Sequence, residues 1–212
     1  MSSVIIAGNT SGTITLDAPN VAGTTTLTLP TTSGTIVTDS ATQTLTNKTL
    51  GAGTVMPAGS VLQVVSTTKT DTWTAATPNW VDITGMSVSI TPSSSSNKIL
   101  VLAVLSMTND NGGAHGYRLV RNSTPISIAD AAGSRPLFSG IAQDGQQNTS
   151  WIYSSSTTHL DSPATTSSIT YKLQAFGTYA GTIYVNRSTA DRDASNYDAR
   201  TTSSITVMEI KG

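Results

Sequence analysis

Met86-Ser-Val-Ser-Ile90 and Ile169-Thr-Tyr-Lys-Leu-Gln-Ala175 place an apolar or aromatic residue at every second position, with a polar residue between. A period of two marks a β-strand with one face in a core and one in water, and no helix satisfies it. Such strands need partners, and further short strands read near 61–66, 80–83, 116–121, 149–153, 181–185 and 203–210, between Gly, Pro, Asn and Asp turn formers. Lys98-Ile-Leu-Val-Leu-Ala-Val-Leu-Ser106 is apolar almost throughout. Its Ile and Val content, and the Thr91-Pro-Ser-Ser-Ser-Ser-Asn97 turn before it, favour a central strand buried on both faces, although a buried helix shares that periodicity. No segment joins helical caps to a sustained amphipathic stripe. Residues 60–212 therefore read as an antiparallel β-sandwich of eight or nine strands, jelly-roll-like in count.

Composition agrees with an all-β chain. The 212 residues include 38 Thr and 29 Ser against 11 aromatics, and β-branched Thr suits a pleated surface that water touches. Charge is sparse, with 11 Lys and Arg, 12 Asp and Glu, and a net charge of -1. Without a basic stripe to follow a phosphate backbone, nucleic acid is not an expected partner. With no cysteine, neither disulfides nor thiolate chemistry are available, and stability has to come from packing and oligomerisation. The opening residues lack the basic region of a signal peptide, and the longest apolar run, Ile99 to Leu105, is far short of the ~20 residues a membrane helix needs, so no membrane insertion is expected.

The first fifty residues follow another rule. Gly12-Thr-Ile14, Gly23-Thr-Thr25 and Gly34-Thr-Ile36 recur at eleven-residue spacing, each leading a short β-prone piece that contains Ile14 and Leu16, Leu27 and Leu29, or Ile36. Single short hairpins cannot bury such side chains, because ordering each residue costs ~1–2 kcal/mol. Three copies wound about one axis would give them an interior, so a homotrimeric fibrous shaft is expected; a disordered Thr/Gly/Ser linker is the plainer alternative. Gly51 to Gly59, with Pro57, reads as a hinge. The expected division is 1–59, a shaft and attachment arm with its hinge, and 60–212, a knob.

The phrases Ile6-Ala-Gly-Asn-Thr-Ser-Gly-Thr-Ile-Thr-Leu16, Gln43-Thr-Leu-Thr-Asn-Lys-Thr-Leu50 and Pro57-Ala-Gly-Ser-Val-Leu-Gln63 resemble bacteriophage tail-fibre and adhesin sequences. Leu160-Asp-Ser-Pro163, Ser168-Ile-Thr-Tyr-Lys-Leu173 and Ile205-Thr-Val-Met-Glu-Ile210 are similar to later strands of their distal knobs. The resemblance implies a homotrimer with a jelly-roll or tumour-necrosis-factor-like head. It also implies a place on the virion, after synthesis in the bacterial cytoplasm, with the N-terminal arm on other virion proteins. The function it implies is binding of a host surface glycan or protein. Two alternatives stay open: a capsid decoration or head-fibre protein clamped by its N-terminal arm, and a depolymerase tailspike.

Catalysis finds little support. His115 and His159 are the only histidines, and only Asp161 stands near one of them at strand spacing. No Gly-x-Ser-x-Gly elbow occurs, and the acids are scattered, so neither a catalytic residue nor a metal or cofactor is expected. The exception to sparse charge is the stretch Asn186 to Arg200, which gathers Arg187, Asp191, Arg192, Asp193, Tyr197, Asp198 and Arg200. Arginine offers forked donors to carboxylates or sugar hydroxyls, and tyrosine a flat face for a ring. With Tyr179 and Tyr184 beside other polar loops, these residues are the candidate receptor contacts. A self-paired solvated loop, or ion pairs across a trimer seam, would use the same residues. Trp73, Trp80, Phe138, Trp151 and Tyr171 lie in or beside expected strands and are read as core or subunit interface.

Overall fold

The computed structural model describes residues 3–7, 11–17, 54–76, 78–142, 150–178 and 181–212. It is all-β, and the chain divides into the units Met1–Ala52 and Gly53–Gly212. In the first unit β1 (Ser3–Ala7) pairs antiparallel with β2 (Thr13–Asp17), Ser3 opposite Asp17 and Ala7 opposite Thr13. The piece expected around Ile14 and Leu16 is β2, and Gly12 turns into it at φ 79°, a conformation that costs glycine nothing. Ile5 and Ile6 on β1 are exposed. Leu27, Leu29 and Ile36, with their expected strands, lie outside the described residues.

Among the described residues the second unit holds eleven strands in two antiparallel sheets. The first sheet is built on β6 (Lys98–Asn109), flanked by β10 (Tyr153–Asp161) on one side and β13 (Ser203–Ile210) on the other. Beyond β13 lies β3 (Val61–Lys69). The far end of β6 pairs with β12 (Thr182–Val185), which pairs with β4 (Trp73–Ala76). The second sheet runs β5 (Val81–Ile90), β11 (Ile169–Gly177), β7 (His115–Arg121), β8 (Thr124–Ile126), with β9 (Gly140–Ile141) also on β7. One apolar core takes alternate side chains from both sheets, among them Ile99, Val101 and Leu105 from β6, Val207 from β13, Met86 from β5 and Leu173 from β11.

The strictly alternating segments behave as their period requires. Tyr171, Leu173 and Ala175 are buried and Lys172 and Gln174 face out. Residues 81–83 and 86–90 belong to a single strand, β5, carried past Gly85 at φ 83° where the register with β11 shifts, and Trp80 stands just before it. Such a bulge keeps the apolar set on the core side of both halves.

Three expectations are corrected. The run 98–106 is a strand, but it is buried on one face only. Ile99, Val101, Ala103 and Leu105 enter the core, whereas Leu100 and Leu102 are half-buried and Val104 is exposed. The strand expected at 149–153 starts where it was expected to end: β10 covers Tyr153–Asp161. Its Ser-Ser-Ser-Thr-Thr text hides a period of two in which hydroxyls occupy both faces; on the inner face Thr157 bonds Tyr117 Oη at 3.0 Å and the Ser139 carbonyl at 2.9 Å. Third, Trp151 belongs to no strand and is half exposed, unlike Tyr171, which is fully buried, or Trp80, which stacks with Phe138 and Phe176 at centroid distances of 5.4 and 5.1 Å.

Candidate functional site

The stretch from Asn186 to Arg200 connects β12 to β13 and is closed at its neck. Asn186 stands at φ 62°, a left-handed conformation that asparagine tolerates better than most residues. Its buried amide donates to the carbonyls of Lys69 and Asp71 at 2.9 and 3.0 Å and accepts the Ser203 hydroxyl at 2.7 Å. The backbone closes the same point: Asn186 N donates to Ser106 O at 3.0 Å, Thr201 N donates to Asn186 O at 3.2 Å, and Arg187 and Arg200 form a β-bridge. The loop thus leaves the first sheet and returns to it at one place.

Within the loop the charges pair with one another. Asp191 receives Arg200 Nη2 at 2.7 Å and Arg187 Nη1 at 3.5 Å. The Asp198 carboxylate, nearly buried, accepts Arg192 Nε at 2.7 Å, the Arg192 amide at 3.1 Å and the Ser188 hydroxyl at 2.5 Å. The Arg192 guanidinium, followed by the Ser188 hydroxyl, holds the Asp198 carboxyl down to about 2. Arg192 also lies 5.3 Å from the Tyr197 ring centroid and donates Nη2 to Ser150 Oγ at 2.5 Å.

This places the candidates residue by residue. Arg187, Asp191 and Arg200 form one ionic group, and Arg192, Asp198 and Tyr197 a second. Asp193 is exposed and, among the described residues, has no ion-pair partner. Tyr184 stands apart on β12, half-buried, with the Arg187 guanidinium 4.9 Å from its ring and its hydroxyl donating to Asp110 at 3.2 Å. Tyr179 lies outside the described residues. Apart from Asp193, these charges are paired within the chain itself.

Pairing leaves a receptive surface. Asp191, Arg192, Asp193, Asp198 and Arg200 line a cavity of about 410 Å³ together with Ser195 and neighbouring alanines. Tyr197 is 67% exposed beside it. Sequence reasoning missed Trp151, 50% exposed and next to the Ser150 that Arg192 reaches; its ring meets Tyr153 edge-on at 6.2 Å. The polar run Asp144-Gly-Gln-Gln-Asn-Thr-Ser150 before it was the available signal in the sequence against a buried tryptophan here. Carboxylate and guanidinium groups with exposed rings suit a hydroxyl-bearing ligand, held by hydrogen bonds and ring stacking.

The histidines are placed elsewhere. His115 is fully buried with Nδ1 3.1 Å from the Gly113 carbonyl. His159 and Asp161 do share the inner face of β10, but the Asp161 carboxylate is taken by Arg121, at 2.8 and 2.9 Å, and by Tyr171 Oη at 2.6 Å. Among the described residues no three His, Asp or Glu side chains gather as metal ligands. No known family model matches the chain, and no curated protein matches it.

Proposed function

We propose that this chain is a bacteriophage virion protein, a homotrimer with a fibrous N-terminal shaft and a jelly-roll-like head that attaches the particle to its host. It binds a surface glycan or protein and transforms nothing. The observation that carries the reading is the loop 186–200, tied to the first sheet at its neck and cross-linked by ion pairs, with Arg192 and Asp193 lining a cavity and Tyr197 exposed. Loops held by a rigid β scaffold are where binding surfaces are commonly built. Three weak copies suffice, because joining sites multiplies avidity without new contacts.

Replacing Arg192, Asp193 and Tyr197 together by Ala tests it. The expected result is loss of adsorption to host cells by a protein of unchanged oligomeric mass. Normal adsorption with normal stability refutes the site. Density for this chain on the capsid, with adsorption unaffected, favours the decoration reading instead.

A further inference from the structure

The two sheets of the second unit turn very different faces outward. On the β5–β11–β7 sheet the outer face is ionic: Asp82 accepts Lys172 Nζ and Gln174 Nε2, each at 2.7 Å, and Arg118 donates to Gln174 at 2.8 Å while lying 4.3 Å from the Trp80 ring centroid. This is how a sheet in water is normally finished. The other sheet is not finished that way. Strand register aligns Val64 of β3, Met208 of β13, Leu100 of β6 and Leu160 of β10 in one row across four strands. The next two rows carry Leu102 and Val104 on β6 and only Ser or Thr on its neighbours. Val64, Val104 and Leu160 are 40–55% exposed. The only ionic side chain at an outward position of these four strands is Lys98, at the beginning of β6.

We infer that this uncharged outer face of β3, β13, β6 and β10 is where a second copy of the chain docks. The inference rests on the oligomeric part of the proposed function and is independent of the receptor part. Charge selects the occupant. A face without ionic groups has no attraction for nucleic acid or for an anionic membrane, and copies gathered about a threefold axis can bury it against one another without leaving a charge unpaired. Size agrees: four strands by about seven residues span roughly 400 Å², enough for the apolar centre of a standard interface of ~800 Å² per partner, with the Ser and Thr hydroxyls as its polar surround. The pairs already formed there, Ser66 with Thr206 and Ser106 with Ser154, both at 2.8 Å, satisfy hydroxyls within the chain and so lower the cost of drying the face.

The chain has no cysteine, so one introduced thiol reports on one place. Val104→Cys, on the central strand, is compared in the full-length protein with Ser89→Cys on the ionic sheet, and each is labelled with a maleimide while light scattering reads the mass. The expected result is a multiple of the 21.9 kDa chain mass with Val104→Cys labelling roughly tenfold or more slowly than Ser89→Cys. Adding Val64→Lys and Leu160→Lys should equalise the two rates with the far-ultraviolet circular dichroism unchanged. Should that pair not fold, Thr158→Arg, at an exposed hydroxyl position of the same face, makes the same test. An oligomer in which Val104→Cys labels as fast as Ser89→Cys, or stays protected in the folded charged variants, overturns the inference and leaves the oligomer standing. A monomer with fast labelling overturns both. A monomer with slow labelling shows that another part of the same chain covers the face, and also overturns it.

Discussion

Asn186 does more for the candidate site than any of the residues that line it. Its side chain uses both amide donors at the end of β3, on Lys69 and Asp71, and its acceptor oxygen on Ser203 at the start of β13, and its left-handed backbone turns the chain out of β12. Asn186→Ala takes a donor from two carbonyls and the acceptor from the Ser203 hydroxyl, which keeps its bond from the Ser106 amide, and puts alanine at a positive φ, so a loss of ~2–4 kcal/mol in unfolding free energy is expected by chemical denaturation. Asn186→Gly should recover the backbone part of that loss only. Asp198 sets the acid limit of the same loop. Its carboxyl titrates at about 2 when folded against an ordinary 3.8. A depressed folded value means the carboxylate's contacts stabilise fully above about pH 4 and are lost as the pH falls through 2. Tyr197 fluorescence and amide exchange of 188–198 should therefore report loop opening in that window, and Asp198→Asn should already be open at neutral pH. A loop equally protected at pH 2 and pH 6 contradicts this account.

At the scale of elements, β6 shows how a strand uses its two faces differently. Leu105 is wholly buried, so Leu105→Ala should cost ~2–5 kcal/mol and Leu105→Asp should unfold the unit, since a lone buried charge costs several kcal/mol. Leu102, three residues earlier on the outer face, should accept Asp with the secondary structure intact; circular dichroism melts of the two variants separate the faces. This contrast was not legible in the sequence, because an unbroken apolar run carries no period and invites burial on both sides. β13 and β11 were legible to within a residue or two, since hydrophobic alternation fixes which side each residue takes. β10 was not, because its Ser and Thr residues face both ways and give alternation nothing to act on. β4, β8 and β9, of two to four residues each, take their shape from neighbours and not from their own text. The charged loop stood out as the one cluster in a chain poor in charge, but that its ions pair within the loop is set by the closed neck at Asn186. Trp151 was misplaced for the same reason: the Arg192 to Ser150 contact that brings its segment to the loop is not written in the local sequence.

For the whole molecule, the two surfaces make a joint demand. The loop 186–200 is a modest site: a surface cavity whose charges, Asp193 apart, are already paired, so that any ligand must compete with existing ion pairs for Arg192 and Arg200. On the proposed function such a site would bind weakly by itself, and attachment would then depend on copies held together. Residues 60–212 carrying Val64→Lys and Leu160→Lys, which lack both the shaft and the uncharged face, keep the loop unaltered yet as a folded monomer should fail to block adsorption of the wild-type protein except at concentrations ~10²–10⁴ higher, the factor that linkage of sites typically supplies. The measurement is competition for host cells, counted per chain. Equal potency of monomer and oligomer would mean that one loop suffices and that assembly serves another purpose. No competition by the monomer at any concentration, with the loop's amide protection unchanged, would mean that the site is completed by a neighbouring copy. The expected intermediate result requires both that each loop binds alone and that repetition makes the binding useful.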